Sequence, residues 1–134
     1  MNTDPARDAK RFEEVFEPIV AVTAGIRRRL RGLLALWKVA DETVEDTLLV
    51  VEELVANVID HARTPFRLVV QLGRSEVQVR IHDGSTHPPQ LAAVSGPPSI
   101  RGRGLRLVQA LSARWGWDKD DDGKTVWATI AVPN

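Results

Sequence analysis

DETVEDTLLVVEELVANVIDHA, residues 41–62, is the stretch on which the choice of fold turns. Val44, Leu48, Val51, Leu54, Val55, Val58 and Ile59 recur at helical spacing, predicting a helix from Asp41 to about Ala62 with its apolar face toward a sheet. Asp41 reads as the N-cap, and the helix should stop before Pro65, since the residue preceding a proline is pushed out of helical geometry. Within it, Glu53, Asn57 and His61 lie four apart and stack on one side, with Asp60 beside Asn57. Asn is a mediocre helix former, so its place beside the apolar face is an odd choice for structure alone. A carboxylate and an amide oxygen one turn apart can serve Mg²⁺, a hard ion that takes oxygens and keeps waters and phosphates among its ligands. Glu53, one turn before Asn57 where Glu52 is not, is placed to act as a general base on a hydroxyl or a water. An ordinary polar helix side is the competing reading.

N-terminal to this helix, Ile19, Val22, Ile26, Leu30, Leu33, Leu34 and Trp37 predict another running to about Lys38, with Pro18 suited to its first turn. Arg27, Arg28, Arg29 and Arg31 fall mostly off its apolar face and read as a solvated side, with docking of an acidic partner as the alternative. Residues 10–17 form an edge strand, and residues 1–9, polar and broken by Pro5, a disordered leader. On the C-terminal side, 66–72 and 77–82 are β-branched runs joined by a hairpin-like connection. Residues 83–103 are a long Gly/Pro/Ser-rich loop, 105–114 a short helix, and 115–119 with 125–132 a terminal hairpin. Helices grouped against antiparallel strands give a two-layer α+β sandwich, one domain over 10–134.

Composition fits a single domain of 134 residues, 43% hydrophobic and 27% charged. Eighteen basic residues balance eighteen acidic ones, so bulk charge favours no nucleic acid or membrane surface. The tryptophans of the terminal hairpin read as packing residues rather than stacking platforms. Without cysteine there is neither a disulfide framework nor a thiolate metal site. The N-terminus lacks the apolar core of a signal peptide, and no apolar run reaches membrane-span length, which points to the cytoplasm.

Three further stretches carry chemistry. In His82-Asp83-Gly84-Ser85 a strand ends on a carboxylate able to accept a hydrogen bond from an exocyclic amine such as adenine's, and Gly84 permits a tight turn. Gly102-Arg103-Gly104-Leu105 opens a helix whose free N–H groups attract phosphate, with Arg101 and Arg103 adding positive charge. Gly123-Lys124-Thr125 precedes the last strand and puts Thr125 where it can support Asp83. Each alone also reads as ordinary turn, cap or hairpin chemistry.

In order and spacing these stretches resemble the GHKL ATPase superfamily (gyrase, Hsp90, histidine kinase and MutL types), over roughly residues 10–132. The resemblance implies the Bergerat ATP-binding fold. Glu53–His61 resembles the N box, Asp83–Ser85 the first glycine box, Gly102–Leu105 the second, and Gly123–Thr125 the last short motif. It further implies Glu53 as catalytic base, Asn57 as Mg²⁺ ligand, Asp83 as adenine reader, and 86–102 as the ATP lid. The candidate nucleotide site then takes in Asn57, Asp60, His61, Asp83, Gly84, Ser85, Arg101, Gly102, Arg103, Gly104, Leu105 and Thr125, with ATP and Mg²⁺ as cofactors.

VVEELVANVIDHA, HDGSTHPP, GRGLRLVQALSARWG and DDGKTVW look most like the bacterial stand-alone anti-sigma-factor serine/threonine kinases. Those proteins bind a sigma factor, phosphorylate a small anti-anti-sigma protein and often dimerise. Ser85 and His87 stand where the superfamily carries further glycines, and the lid is short, with Pro88-Pro89 and Pro97-Pro98. These departures motivate the alternative of a nucleotide-gated binding module without phosphoryl transfer.

Overall fold

The computed structural model describes residues 10–89 and 104–133. In chain order these form β1 (Arg11–Phe16), α1 (Val22–Leu36), α2 (Asp41–Asn57), a π-helical turn (Val58–Ala62), β2 (Phe66–Leu72), β3 (Glu76–Asp83), α3 (Gly104–Leu111), β4 (Arg114–Asp120) and β5 (Gly123–Ala131). The five strands make one antiparallel sheet in the order β1-β2-β3-β5-β4, so β1 is an edge strand as its sequence predicts. No described helix is long and apolar enough to cross a membrane.

Strand alternation sorts the side chains into two layers. Val77, Val79, Ile81 and Asp83 of β3 point to the helices, as do Lys124, Val126, Ala128 and Ile130 of β5. Leu48, Val51, Leu54, Val55 and Val58 meet them from α2, and Ile26, Leu30 and Leu34 from α1. Leu105 and Val108 bury α3 against α2. The opposite sheet face carries Arg11, Arg67, Arg80, His82, Thr125 and Trp127 and has no helix over it among the described residues.

Local chemistry moves several boundaries. The first helix begins at Val22 rather than Ile19: the chain turns over residues 17–21, where Val22 N–H donates to Ile19 O (3.1 Å), leaving Pro18 outside the helix. Ile19 and Val20 stay exposed. Lys38 ends α1 in the left-handed region (φ 65°), where Val39 N–H reaches back to Leu34 O at 3.0 Å. Asp41 is not the N-cap of α2. Ala40 holds that position in extended geometry, and Asp41 and Glu42 sit inside the first turn, where their charge meets the positive end of the helix dipole. The third helix ends at Leu111, and Arg114, expected in it, opens β4 because Ala113 N–H bonds Thr129 O across the sheet (2.7 Å). Trp115 packs against the core as expected, whereas Trp117 is exposed and Trp127 lies on the open face over Gly116.

The arginines of α1 are solvated but engaged. Arg27 pairs with Glu52 (2.8 Å), Arg29 with Glu14 (2.7 Å), and Arg31 with Glu45, tying α1 to α2 and β1. Hydrogen bonds from Arg29 and Arg31 hold the Glu14 and Glu45 carboxyls below the usual glutamate range. A lowered folded-state pKa means these ties act fully above the ordinary glutamate range and are lost as pH falls through the lowered values. Amide exchange across an acid titration should show α1 losing protection before the strands; simultaneous loss would contradict this. Leu54, with 2% of its surface exposed, sits between α2 and the sheet. Leu54→Ala should lower unfolding free energy by about 2–5 kcal/mol in urea denaturation.

Candidate functional site

The site grows from the point where α2 ends. α-Helical geometry stops at Asn57, and Val58–Ala62 widen into a π turn closed by Arg63 in the left-handed region (φ 58°), whose N–H bonds Val58 O at 2.7 Å. Such turns insert an extra residue and change the side-chain phase, and they recur at functional sites. Glu53 and Asn57 therefore keep their one-turn relation on α2, both half-buried. His61 does not share their face as the sequence spacing suggested: the wider turn breaks the four-residue stacking, and His61 is exposed. Asp60 is half-buried, and its main-chain carbonyl receives the Arg63 Nε at 3.4 Å.

Beyond the turn, Thr64 ties the helix end to the end of β3. Its hydroxyl accepts the Gly84 N–H at 2.8 Å, next to Asp83. The same two segments meet in the sheet, where Phe66 stands opposite Asp83.

Asp83 is buried, and its carboxylate is already engaged. Oδ1 accepts the Ser85 N–H (2.8 Å), and the Lys124 ammonium reaches Oδ1 at 3.1 Å and Oδ2 at 3.0 Å. The two side chains are 2% and 4% exposed, so this is a fully desolvated ion pair. Asp83 and Lys124 are direct cross-strand partners. Expected support from Thr125 is not found: Thr125 stands opposite His82, and alternation puts it on the open face, where it borders a groove of about 520 Å³ with Arg80 and His82. In that groove His82 Nε2 lies 3.2 Å from Asp120 Oδ2, on the far side of the sheet from Asp83.

The backbone demand expected of Gly84 falls instead on Gly123. Gly123 has φ 146°, and a Cβ there would lie 1.9 Å from the Asp83 carbonyl oxygen; at Gly84 it would only touch Thr64 at 3.4 Å. Of the remaining candidates, Ser85 is half-buried with its hydroxyl accepting His87 N–H at 3.1 Å. Gly104 opens α3, and the Leu105 side chain belongs to the core, leaving only its main chain for a ligand. Arg101, Gly102, Arg103 and most of the expected lid lie outside the described residues.

The donor set on α2 consists of oxygens: a half-buried Asn57 amide with the Glu53 carboxylate one turn before it. That set fits a hard divalent cation sharing its shell with phosphate oxygens and water, rather than zinc. A buried carboxylate on β3 and an α3 start packed beside α2 fit a nucleotide lying between them.

The profile of the histidine kinase-like ATPase domain matches residues 16–130, nearly the whole chain. The chain belongs to this family. Its fold is also that of a solved structure comprising the RsbU and RsbW domains of Rv1364c from Mycobacterium tuberculosis, at TM-score 0.67 and 16% identity. That match covers 92% of this chain and 33% of the other, so the present domain spans about a third of the solved chain. No curated protein matches the sequence. As a histidine kinase-like ATPase domain, the protein is an ATP-binding unit built on the α+β sandwich expected from its sequence.

Sequence reasoning missed Thr64 and Lys124. The signal for Lys124 was present: it is the one charged residue in the alternating apolar series Lys124, Val126, Ala128, Ile130, just as Asp83 is in its own strand. Gly123→Ala should cost about 3 kcal/mol or more through backbone strain and collision. Gly84→Ala should leave the melting temperature nearly unchanged. Equal effects of the two changes in thermal unfolding would refute this assignment of the strained position.

Proposed function

We infer that this domain is an ATP- and Mg²⁺-dependent protein serine/threonine kinase of the anti-sigma type, which phosphorylates a small anti-anti-sigma protein and holds a sigma factor. The observation that carries the reading is Asp83, a carboxylate fixed at the end of β3 and linked through Gly84 and Thr64 to the end of the helix bearing Glu53 and Asn57. An adenine amine meets Asp83 at one end of the nucleotide, and α2 meets the phosphates at the other. Asn57 would supply a metal oxygen; Mg²⁺, when bound, offsets charge on the phosphates. Glu53 would accept the proton of the Ser or Thr hydroxyl as its oxygen attacks the γ-phosphorus and the bond from that phosphorus to the β,γ-bridging oxygen breaks, releasing ADP. The start of α3, beside α2, offers main-chain N–H groups to the phosphates.

Kinship with the RsbW-containing structure supports the sigma-regulatory setting, at the level of fold. We place the protein in the cytoplasm, where kinases of this type often dimerise, with residues 10–134 acting as one unit. Ser85 and His87, standing where the superfamily carries further glycines, favour a second reading, a nucleotide-gated binding module in which phosphoryl transfer is weak or absent.

Two measurements apply: the first tests the nucleotide site common to both readings, and the second separates them. In calorimetric titration, Asn57→Ala should remove the Mg²⁺-dependent part of ATP binding while leaving metal-free binding in place. With labelled ATP and candidate antagonist proteins, Glu53→Gln should slow transfer to Ser or Thr by about 10²–10⁴-fold. Absence of any Glu53-dependent transfer, with partner binding still responsive to ATP, would leave the gated module as the answer.

A further inference from the structure

The buried Asp83–Lys124 pair has unused hydrogen-bonding capacity on both partners. A carboxylate offers about four lone pairs, two on each oxygen. Oδ1 already receives the Ser85 N–H at 2.8 Å and faces Lys124 Nζ at 3.1 Å, which fills it. Oδ2 faces only Lys124 Nζ, at 3.0 Å, so one lone pair remains there among the described contacts. An ammonium has three N–H groups, and Lys124 directs at most two of them to Asp83. No other partner for it is found among the described residues. With 2% and 4% of these side chains exposed, bulk water does not readily satisfy the remainder.

The site therefore presents one acceptor beside one donor. A base edge that fits must present one N–H donor beside one acceptor. Adenine does so, with its N6 amine next to ring nitrogen N1. Guanine also sets a donor, N1–H, beside an acceptor, O6, but in the reverse order: seated as adenine is, its O6 would face the Asp83 carboxylate and its N1–H the Lys124 ammonium.

We propose that Lys124 is a specificity-determining residue of the base site: its spare N–H bonds adenine N1 while Asp83 Oδ2 accepts from the N6 amine. This deepens the ATP-binding reading above and rests on it. Lys124 thus has two tasks, as counter-ion to Asp83 and as the second reader of the base. The ion pair stays intact when nucleotide enters, since the base uses only what the pair leaves free.

The test is equilibrium titration of the full chain, with Mg²⁺, by ATP, by 1-deaza-ATP (a C–H in place of N1) and by GTP. The wild-type protein should bind ATP at least about tenfold tighter than 1-deaza-ATP, the difference typical of a hydrogen bond from a charged donor, with GTP weaker still. Lys124→Met, checked for folding by circular dichroism, should bind ATP and 1-deaza-ATP alike. Wild-type protein that binds ATP but does not distinguish 1-deaza-ATP overturns the proposal and leaves the ATP reading standing. GTP binding as tight as ATP, or a folded Lys124→Met that keeps the preference for ATP, overturns it too. If the variant does not fold, the wild-type comparison decides alone. No binding of any adenine nucleotide to the wild type would refute the ATP reading itself, and this proposal with it.

Discussion

Two opposite charges, Asp83 and Lys124, face each other across β3 and β5 on the apolar side of the sheet. Desolvating them is costly, and their mutual attraction offsets the loss only when geometry is good and remaining polar atoms are bonded. Several features go most of the way to that condition, leaving one Oδ2 lone pair and one Lys124 N–H unused among the described contacts. The strands set the two residues directly opposite, the Ser85 N–H adds a bond to Oδ1, and Gly123 lets the main chain pass over the Asp83 carbonyl where no side chain fits. Removing one member of such a pair costs about 3–5 kcal/mol, since it strands the other. The pair also fixes register: a one-residue slip of β5 would turn Lys124 outward and put Thr125 beneath the helices.

The helix layer answers to the same point. α2 brings Leu48, Val51, Leu54 and Val55 to the sheet by ordinary helical periodicity, which fixes its rotation and so places Glu53 and Asn57. The π turn then ends the helix within reach of β3, where the Thr64 hydroxyl receives the Gly84 N–H. A regular α-helix through Ala62 would have kept His61 in line with Asn57. The actual turn leaves the histidine in solvent and uses the extra residue to close the gap between helix and strand. Position of Asp83 relative to Glu53 and Asn57 is thus set by one hydrogen bond and one departure from α geometry.

For the phosphoryl transfer we propose, this division of labour is apt. Little covalent chemistry falls to the protein, and rate depends on alignment of phosphate, metal and acceptor hydroxyl. In the function we propose, Asp83, anchored in the sheet, would supply a fixed end for the nucleotide. α2 carries the Glu53 carboxylate and the Asn57 amide oxygen on a rigid element, and α3 packs against α2.

The sequence by itself determined the secondary elements, the apolar faces, the layer order and the family, because each depends on periodicity and spacing along the chain. Glu53, Asn57 and Asp83 were legible for that reason: two sit at a one-turn interval, and one ends a β-branched run before Gly84. Helix limits were less legible, since Asp41 and Pro18 are common in caps and first turns yet a turn at 17–21 and the extended Ala40 took those roles. What only the tertiary structure decided was partnership across elements: Lys124 rather than Thr125 beside Asp83, Thr64 on Gly84, strain on Gly123 rather than Gly84, and His61 exposed on a π turn. Those facts depend on strand register and on the phase of a π turn, which set neighbours tens of residues apart in sequence, where local spacing carries no information.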